Sequence, residues 1–219
     1  MDKNEEDYAL QIIEILHKNY QSVKCDLNFS SHFELLTAVI LSAQCTDKRV
    51  NKITKNLFKR YNNVEEYANA DASEFESYIR SAGFFKIKAK NIIGSAYLIV
   101  NKHNGNVPQT MEKLLELPGV ARKTANVVLG TLFNKHEGIA VDTHVIRIAN
   151  LLKLTKYDNP VAIERKLMKI IPKEHWIKFP FLIQTLGKRV CKSRTQNHTI
   201  CPIKALCPSF LQKKIAKFI

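Results

Sequence analysis

The stretch Leu117–Gly130, LPGVARKTANVVLG, decides how this chain of 219 residues folds. Pro118 fixes one φ and Gly119 admits φ > 0, so Pro118-Gly119-Val120 can reverse the chain between two helices, one ending at Leu117 and one beginning near Ala121. Ala121, Ala125, Val128 and Leu132 recur at helical spacing and define the buried stripe of the second helix, with Lys123 well away from it. Such a turn leaves the amides of Gly119, Ala121 and their neighbours unpaired at the positive end of that helix. Backbone N–H groups so placed can hold a phosphate without reading sequence. An ordinary helix-turn-helix corner fits the same residues, and a lysine on a polar face is ordinarily just solvated. The choice rests on what else converges on this segment.

Outward from the hairpin, apolar residues repeat with a period near 3.6. Leu10, Ile13 and Leu16 form one stripe, and Phe33, Leu36 and Ile40 follow a capping box from Ser31 to Glu34. Val50, Ile53 and Leu57 lie behind Thr46-Asp47, and Phe75 and Ile79 behind Ser73, which has a Glu three residues on. Ala89, Ile92, Ile93, Ala96 and Val100 run until HNGNVP breaks the pattern with Gly105 and Pro108, and Val145, Ile148, Ala149 and Leu152 follow Asp142. No segment alternates with period two, so the expected fold class is all-α. No repeat, Gly/Ser linker or low-complexity tract marks a domain boundary.

The 34 Lys and Arg against 20 Asp and Glu leave a net charge of +14, which favours a polyanionic partner, nucleic acid first and an anionic membrane surface second. The acidic start MDKNEEDYAL has no apolar h-region, and no run approaches the roughly 20 apolar residues of a membrane span, so an intracellular protein of cytoplasm or nucleoid is expected. Five cysteines are an odd number, and Cys25 and Cys45 are isolated, which argues against a disulfide framework.

Two residues carry chemistry. Lys123 sits in the first turn of its helix beside Arg122, and both the helix end and the guanidinium disfavour an ammonium there. A lysine that is neutral part of the time can attack an electrophilic carbon, the requirement for a Schiff base. Asp142 directly precedes an apolar-periodic run, so its carboxylate is expected to accept from the amide of His144 or Val145 as an N-cap. A carboxylate held ionised and oriented in this way can also stabilise a developing cation.

Near the C-terminus, RVCKSRTQNHTICPIKALC brings Cys191, Cys201 and Cys207 together. Three readings fit: a metal site lacking one ligand, a metal site in which His198 stands in, or three buried thiols. Three thiolates with one imidazole make a structural zinc set, and iron-sulfur clusters are usually held by four thiolates.

LPGVARKTANVVLG followed by IAVDTHVIRIANLL resembles the helix-hairpin-helix and Asp segment of the endonuclease III family. LLTAVILSAQCTDKRVNK, KAKNIIGSAYLIVNKHNGNVP and the cysteine cluster extend the resemblance over roughly residues 8 to 210. It implies a two-lobed DNA glycosylase with abasic-site lyase activity, probing double-stranded DNA for oxidised pyrimidines and abasic sites as a monomer, with no membrane partner. Residues 25–135 would form a six-helix barrel carrying the hairpin. Residues 1–24 plus 136–219 would form the second lobe with the Cys/His cluster.

Lys123 matches the family's nucleophile, Asp142 its catalytic carboxylate and Gln44 a residue that enters the duplex. Gly119, Val120, Ala121 and Arg122 are expected DNA contacts, and Thr143 and His144 either contact DNA or serve the helix start. Ala121 replaces a second hairpin Gly, a harmless change where φ is negative. Relatives that remove mismatched adenine carry a Glu where this chain has Ala38, and they lack the lysine. The family's C-x6-C-x2-C-x5-C reads here as C-x6-H-x2-C-x5-C, which places His198 on the second ligand of a 4Fe-4S cluster, with zinc the other candidate metal. The competing functions are a non-catalytic or monofunctional DNA-binding helix-hairpin-helix protein with a structural zinc site, and a zinc-binding regulatory module.

Overall fold

Side-chain caps set where most of the helices begin. In the computed structural model, which describes residues 3–215, the helices are α1 Lys3–Asn19, α2 His32–Leu41, α3 Asp47–Arg60, α4 Val64–Ala68, α5 Ala72–Ile79, α6 Phe85–His103, α7 Met111–Leu115, α8 Arg122–Phe133, α9 Thr143–Leu151, α10 Pro160–Ile170, α11 Lys178–Arg189 and α12 Pro208–Ile215. Among the described residues there is no strand, only an isolated bridge between Cys191 and Gln196, so the fold is all-α. None of these helices is long and apolar enough to cross a membrane. The chain divides into two compact units, Asp26–Glu137 and the residues up to Cys25 joined by those from Gly138 onward.

Within Asp26–Glu137, the Ser31 capping box forms as the sequence requires: Ser31 Oγ accepts from the Glu34 amide and Glu34 Oε2 accepts from the Ser31 amide, both at 3.2 Å. Helix α2 then buries every residue from Leu35 to Leu41, which makes it the central rod of this unit. Thr46 caps α3, but α5 is capped by Asp71 and not by Ser73, which lies inside the helix. Asp71 Oδ1 accepts from the Glu74 amide at 2.8 Å, so the acidic residue that completes the first turn is Glu74. Tyr61, Tyr67 and Phe75 pack at ring separations of 5.1 to 5.9 Å and fill the space beside the rod.

In the other unit, α1 buries Ala9, Ile12, Ile13 and Leu16 against α9, α10 and α11, whose inward residues include Val145, Ile148, Leu167, Phe179, Leu182 and Leu186. Leu10 is only half-buried, so the true stripe runs through Ala9. Tyr8 ties α1 to two distant carbonyls, Leu152 at 3.1 Å and Leu206 at 2.8 Å. Burial and the neighbouring Cys207 push its phenol up to about 12, so it remains a hydrogen-bond donor at neutral pH.

Candidate functional site

The hairpin is built by three residues of α6. Gly119 adopts φ +76°, and a Cβ there would lie 2.7 to 3.0 Å from the Asn91 side chain, so conformation and space both demand glycine. Ser95 Oγ donates to the Pro118 carbonyl at 2.9 Å, and Gly94 lets the Pro118 ring approach the helix. The Val120 amide closes the turn on the Leu117 carbonyl at 3.1 Å, so this N–H is used internally. Among the described residues no main-chain acceptor takes the amides of Gly119 and Ala121. Ala121 has φ −96° as the cap of α8, a backbone in which a second glycine brings no advantage.

Helix α7 stops at Leu115, two residues before the expected end, and the stripe of α8 is Thr124, Ala125, Val128 and Leu129, with Ala121 exposed and Leu132 half-buried. Lys123 is exposed in the first turn of α8, one residue beyond half-buried Arg122. The hairpin therefore presents free amides, a guanidinium and an ammonium together, an arrangement suited to a phosphodiester.

Asp142 caps α9 through Oδ1, which accepts from the Val145 amide at 2.8 Å, the second of the two expected partners. Buried Ile139 and Val141 anchor the segment leading to it, and Asp142 is half-buried. Asp142 belongs to the unit that starts again at Gly138, and Lys123 to Asp26–Glu137. Thr143 is exposed. His144 turns its Nδ1 edge toward α11, where any side chain at Gly187 would collide with the imidazole. Arg147 Nη2 lies 3.5 Å from His144 Nδ1, and its Nη1 donates to Cys191 Sγ at 3.6 Å, so one guanidinium, absent from the sequence expectations, joins the Asp142 helix to the cysteine loop.

Gln44 stands exposed at the tip of a turn closed by the Cys45 amide on the Ser42 carbonyl at 3.1 Å, and it adopts φ +52°. A second exposed side chain in the same backbone region, missed from the sequence, is Phe84, 65% exposed at φ +47°. Its sequence signal was slight: an aromatic between Gly83 and the start of α6, outside every apolar stripe. Lys88, also missed, is buried, and burial draws its pKa below the ordinary lysine value.

None of the five cysteines is in a disulfide. Cys191, His198, Cys201 and Cys207 line one pocket, with Ile148, Leu152, Leu186, Val190 and Ile203 as its aliphatic walls. His198 is half-buried and its ring lies 4.8 Å from that of Phe210. Short backbone turns shape the loop: the Cys201 amide bonds the His198 carbonyl at 3.4 Å and the Cys207 amide that of Lys204 at 3.3 Å. Among the described residues no three His, Cys, Asp or Glu side chains meet closely enough to hold a single ion. The donor set nevertheless suits a thiolate-rich metal group: three sulfurs and one imidazole around one largely aliphatic pocket, with Arg147 as a donor to the first sulfur.

A hairpin of this build, entering a helix with an exposed lysine in its first turn, belongs to the class of HhH-GPD folds: residues 37–173 match the model of the HhH-GPD superfamily base excision DNA repair protein. Endonuclease III of Synechocystis sp. (strain ATCC 27184 / PCC 6803 / Kazusa) is 49% identical over 201 residues, covering 92% of each chain. A trapped endonuclease III–DNA covalent intermediate, an estranged-adenine complex, superposes with a TM-score of 0.89 at 38% identity, covering 95% of this chain and 98% of the other. A non-covalent endonuclease III–DNA complex gives 0.89 at 39%, with 96% and 98% covered. The chain belongs to the endonuclease III family.

Proposed function

We propose that this protein is a base excision repair enzyme, a DNA N-glycosylase and abasic-site lyase that removes oxidised pyrimidines from double-stranded DNA through a Schiff base on Lys123. The observation that carries the proposal is the Gly119 hairpin, which brings two amides without main-chain acceptors and an exposed Lys123 to one helix start. The covalent endonuclease III–DNA intermediate, on a structural relative that matches nearly the whole chain, supports it.

In this mechanism the phosphodiester rests on the Gly119 and Ala121 amides and on Arg122, while the damaged nucleotide turns out of the stack, a step that costs least for a base that pairs poorly. The Asp142 carboxylate, kept in place by its bond to the Val145 amide, stabilises the sugar as positive charge grows on C1′. Neutral Lys123 Nζ forms a bond to C1′, the glycosidic bond breaks, and the base departs with the electron pair and is protonated. Loss of a proton from nitrogen and opening of the ring give the imine. Its protonated form acidifies C2′–H; removal of that proton expels the 3′ phosphate, and water then hydrolyses the imine to free Lys123.

Cys191, His198, Cys201 and Cys207 would hold a 4Fe-4S cluster, with His198 an atypical ligand, or zinc in its place. The likeness to the endonuclease III family supports the cluster, and the donor set by itself equally suits zinc. When bound, the group supplies a cross-link that fixes the loop between α11 and α12. We assign the barrel role to Asp26–Glu137 and the metal-bearing role to the other unit.

Borohydride trapping on duplexes with thymine glycol or a preformed abasic site tests the reading. A covalent adduct with wild-type protein that vanishes in Lys123→Ala is expected. Base release with no adduct and an intact strand would show a monofunctional enzyme, and binding with neither would show a protein without chemistry.

A further inference from the structure

Lys88 lies in the first turns of α6 and is 5% exposed. Its Nζ donates to three carbonyl oxygens, Leu41 at 2.9 Å, Ala43 at 2.7 Å and Ala82 at 2.8 Å. An ammonium has three protons, and each finds one acceptor. Leu41 is the last residue of α2, where the negative end of the helix favours a cation, Ala43 lies in the turn just beyond it, and Ala82 ends the short 3-10 turn Arg80–Ala82 that precedes α6.

Filling this space requires no charge, and taking an ammonium out of water costs several kcal/mol. The position of the three acceptors explains the choice. Ala43 is the residue before Gln44, and Ala82 stands two residues before Phe84. Gln44 and Phe84 both hold positive φ with side chains in solvent, a conformation unfavourable for an L residue that persists where surrounding structure holds it. One nitrogen bonds both turns. Ile87, 63% exposed and one helical turn beyond Phe84, widens the apolar tip.

We propose that Lys88 is a positioning residue: its buried ammonium ties the Gln44 turn to the Phe84 turn, so that an amide and an aromatic ring are presented as one probe to a base pair being opened. The ring offers a stacking face to the base beside the gap, and the amide offers a donor and an acceptor to the base left without its partner. The proposal rests on the DNA-repair reading above, in which Gln44 enters the duplex, and adds to it the residue that holds the Gln44 and Phe84 turns together.

The experiment compares wild type with Lys88→Met on two substrates. One is a duplex with thymine glycol and a 2-aminopurine neighbour, whose fluorescence reports unstacking; the other is a single-stranded oligonucleotide with a preformed abasic site, in which no pair has to be opened. The tie predicts that Lys88→Met lowers kcat/KM and the fluorescence amplitude on the duplex at least about tenfold more than it lowers borohydride trapping on the single strand. Equal losses on both substrates, or duplex opening at the wild-type level, would overturn it.

If Lys88→Met fails to fold, Gln44→Ala, Phe84→Ala and the double variant decide in its place. Duplex-opening effects that combine to much less than their product support a single probe, and effects multiplying to within about twofold overturn it. Failure of the wild type to trap either substrate would instead remove the glycosylase-lyase reading, and this proposal with it.

Discussion

Gly119→Ala is the sharpest test of how the hairpin is held. At φ +76° an L residue costs about 1–2 kcal/mol more than glycine. The new methyl would also lie 2.7 Å from Asn91 Nδ2, 2.9 Å from its Cβ and 3.0 Å from its Cγ. The amide could swing aside, but the Asn91 Cβ is fixed to the backbone of α6, so the hairpin and α6 must separate by several tenths of an ångström. That displacement pulls on the bond from Ser95 to the Pro118 carbonyl, a contact of about 1 kcal/mol. The combined loss is about 2–4 kcal/mol, which for a chain of this size lowers Tm on the order of 10 °C. Calorimetry measures that loss, and fluorescence anisotropy with an abasic-analogue duplex at fixed salt measures the displaced amides, where a drop of at least about tenfold in affinity is expected. A variant that melts within about 1 °C of wild type refutes the packing account. One that loses stability yet binds the duplex normally refutes the role of the amides.

Asp142→Asn separates the cap from the chemistry: asparagine caps as well as aspartate, so urea midpoints should stay within about 0.5 kcal/mol of wild type while base release falls at least about 100-fold, and an Asn variant that keeps wild-type turnover would sink the carboxylate's role. Arg122→Ala should reduce the magnitude of the slope of log affinity against log salt by about 1 if the guanidinium neutralises a phosphate, and an unchanged slope would show that it does not. His198→Ala should lower the metal bound per purified chain, measured by elemental analysis and visible absorption, whereas His198→Cys retains it; equal loading in all three proteins would show that the imidazole is no ligand.

What the sequence disclosed was what neighbouring residues decide. A Pro-Gly pair forces a turn, an Asp before an apolar run caps a helix, and the hydrogen bond that Asp142 accepts from the Val145 amide spans three residues. Two local signals compete at the start of α5: Ser73 and Asp71 both offer a cap, and Asp71 wins because its carboxylate reaches the Glu74 amide while Ser73 falls inside the helix. In α1 the stripe passes through Ala9, whose small side chain carries less hydrophobic weight than Leu10 beside it, and only packing against α9 and α11 settles the register.

Long-range acceptors account for the rest. A lysine in a helix reads as solvated because nothing within a turn of Lys88 says otherwise. Two of its three carbonyl partners lie 47 and 45 residues upstream, beyond the reach of any periodicity. Arg147 is the same case, since the sulfur it donates to lies 44 residues downstream. Both are cations taken from the surface and set against the loops that present function, one under Gln44 and Phe84, the other beside Cys191. A basic composition thus supplies two things that a charge count cannot distinguish: ammonium and guanidinium groups left in solvent for phosphates, and a few withdrawn to hold irregular backbone in place. Burial cost separates them, because a cation withdrawn without acceptors would be expelled or neutralised. A buried Lys with three carbonyls on its three protons therefore marks a position where loop geometry, and not charge, is what the residue supplies.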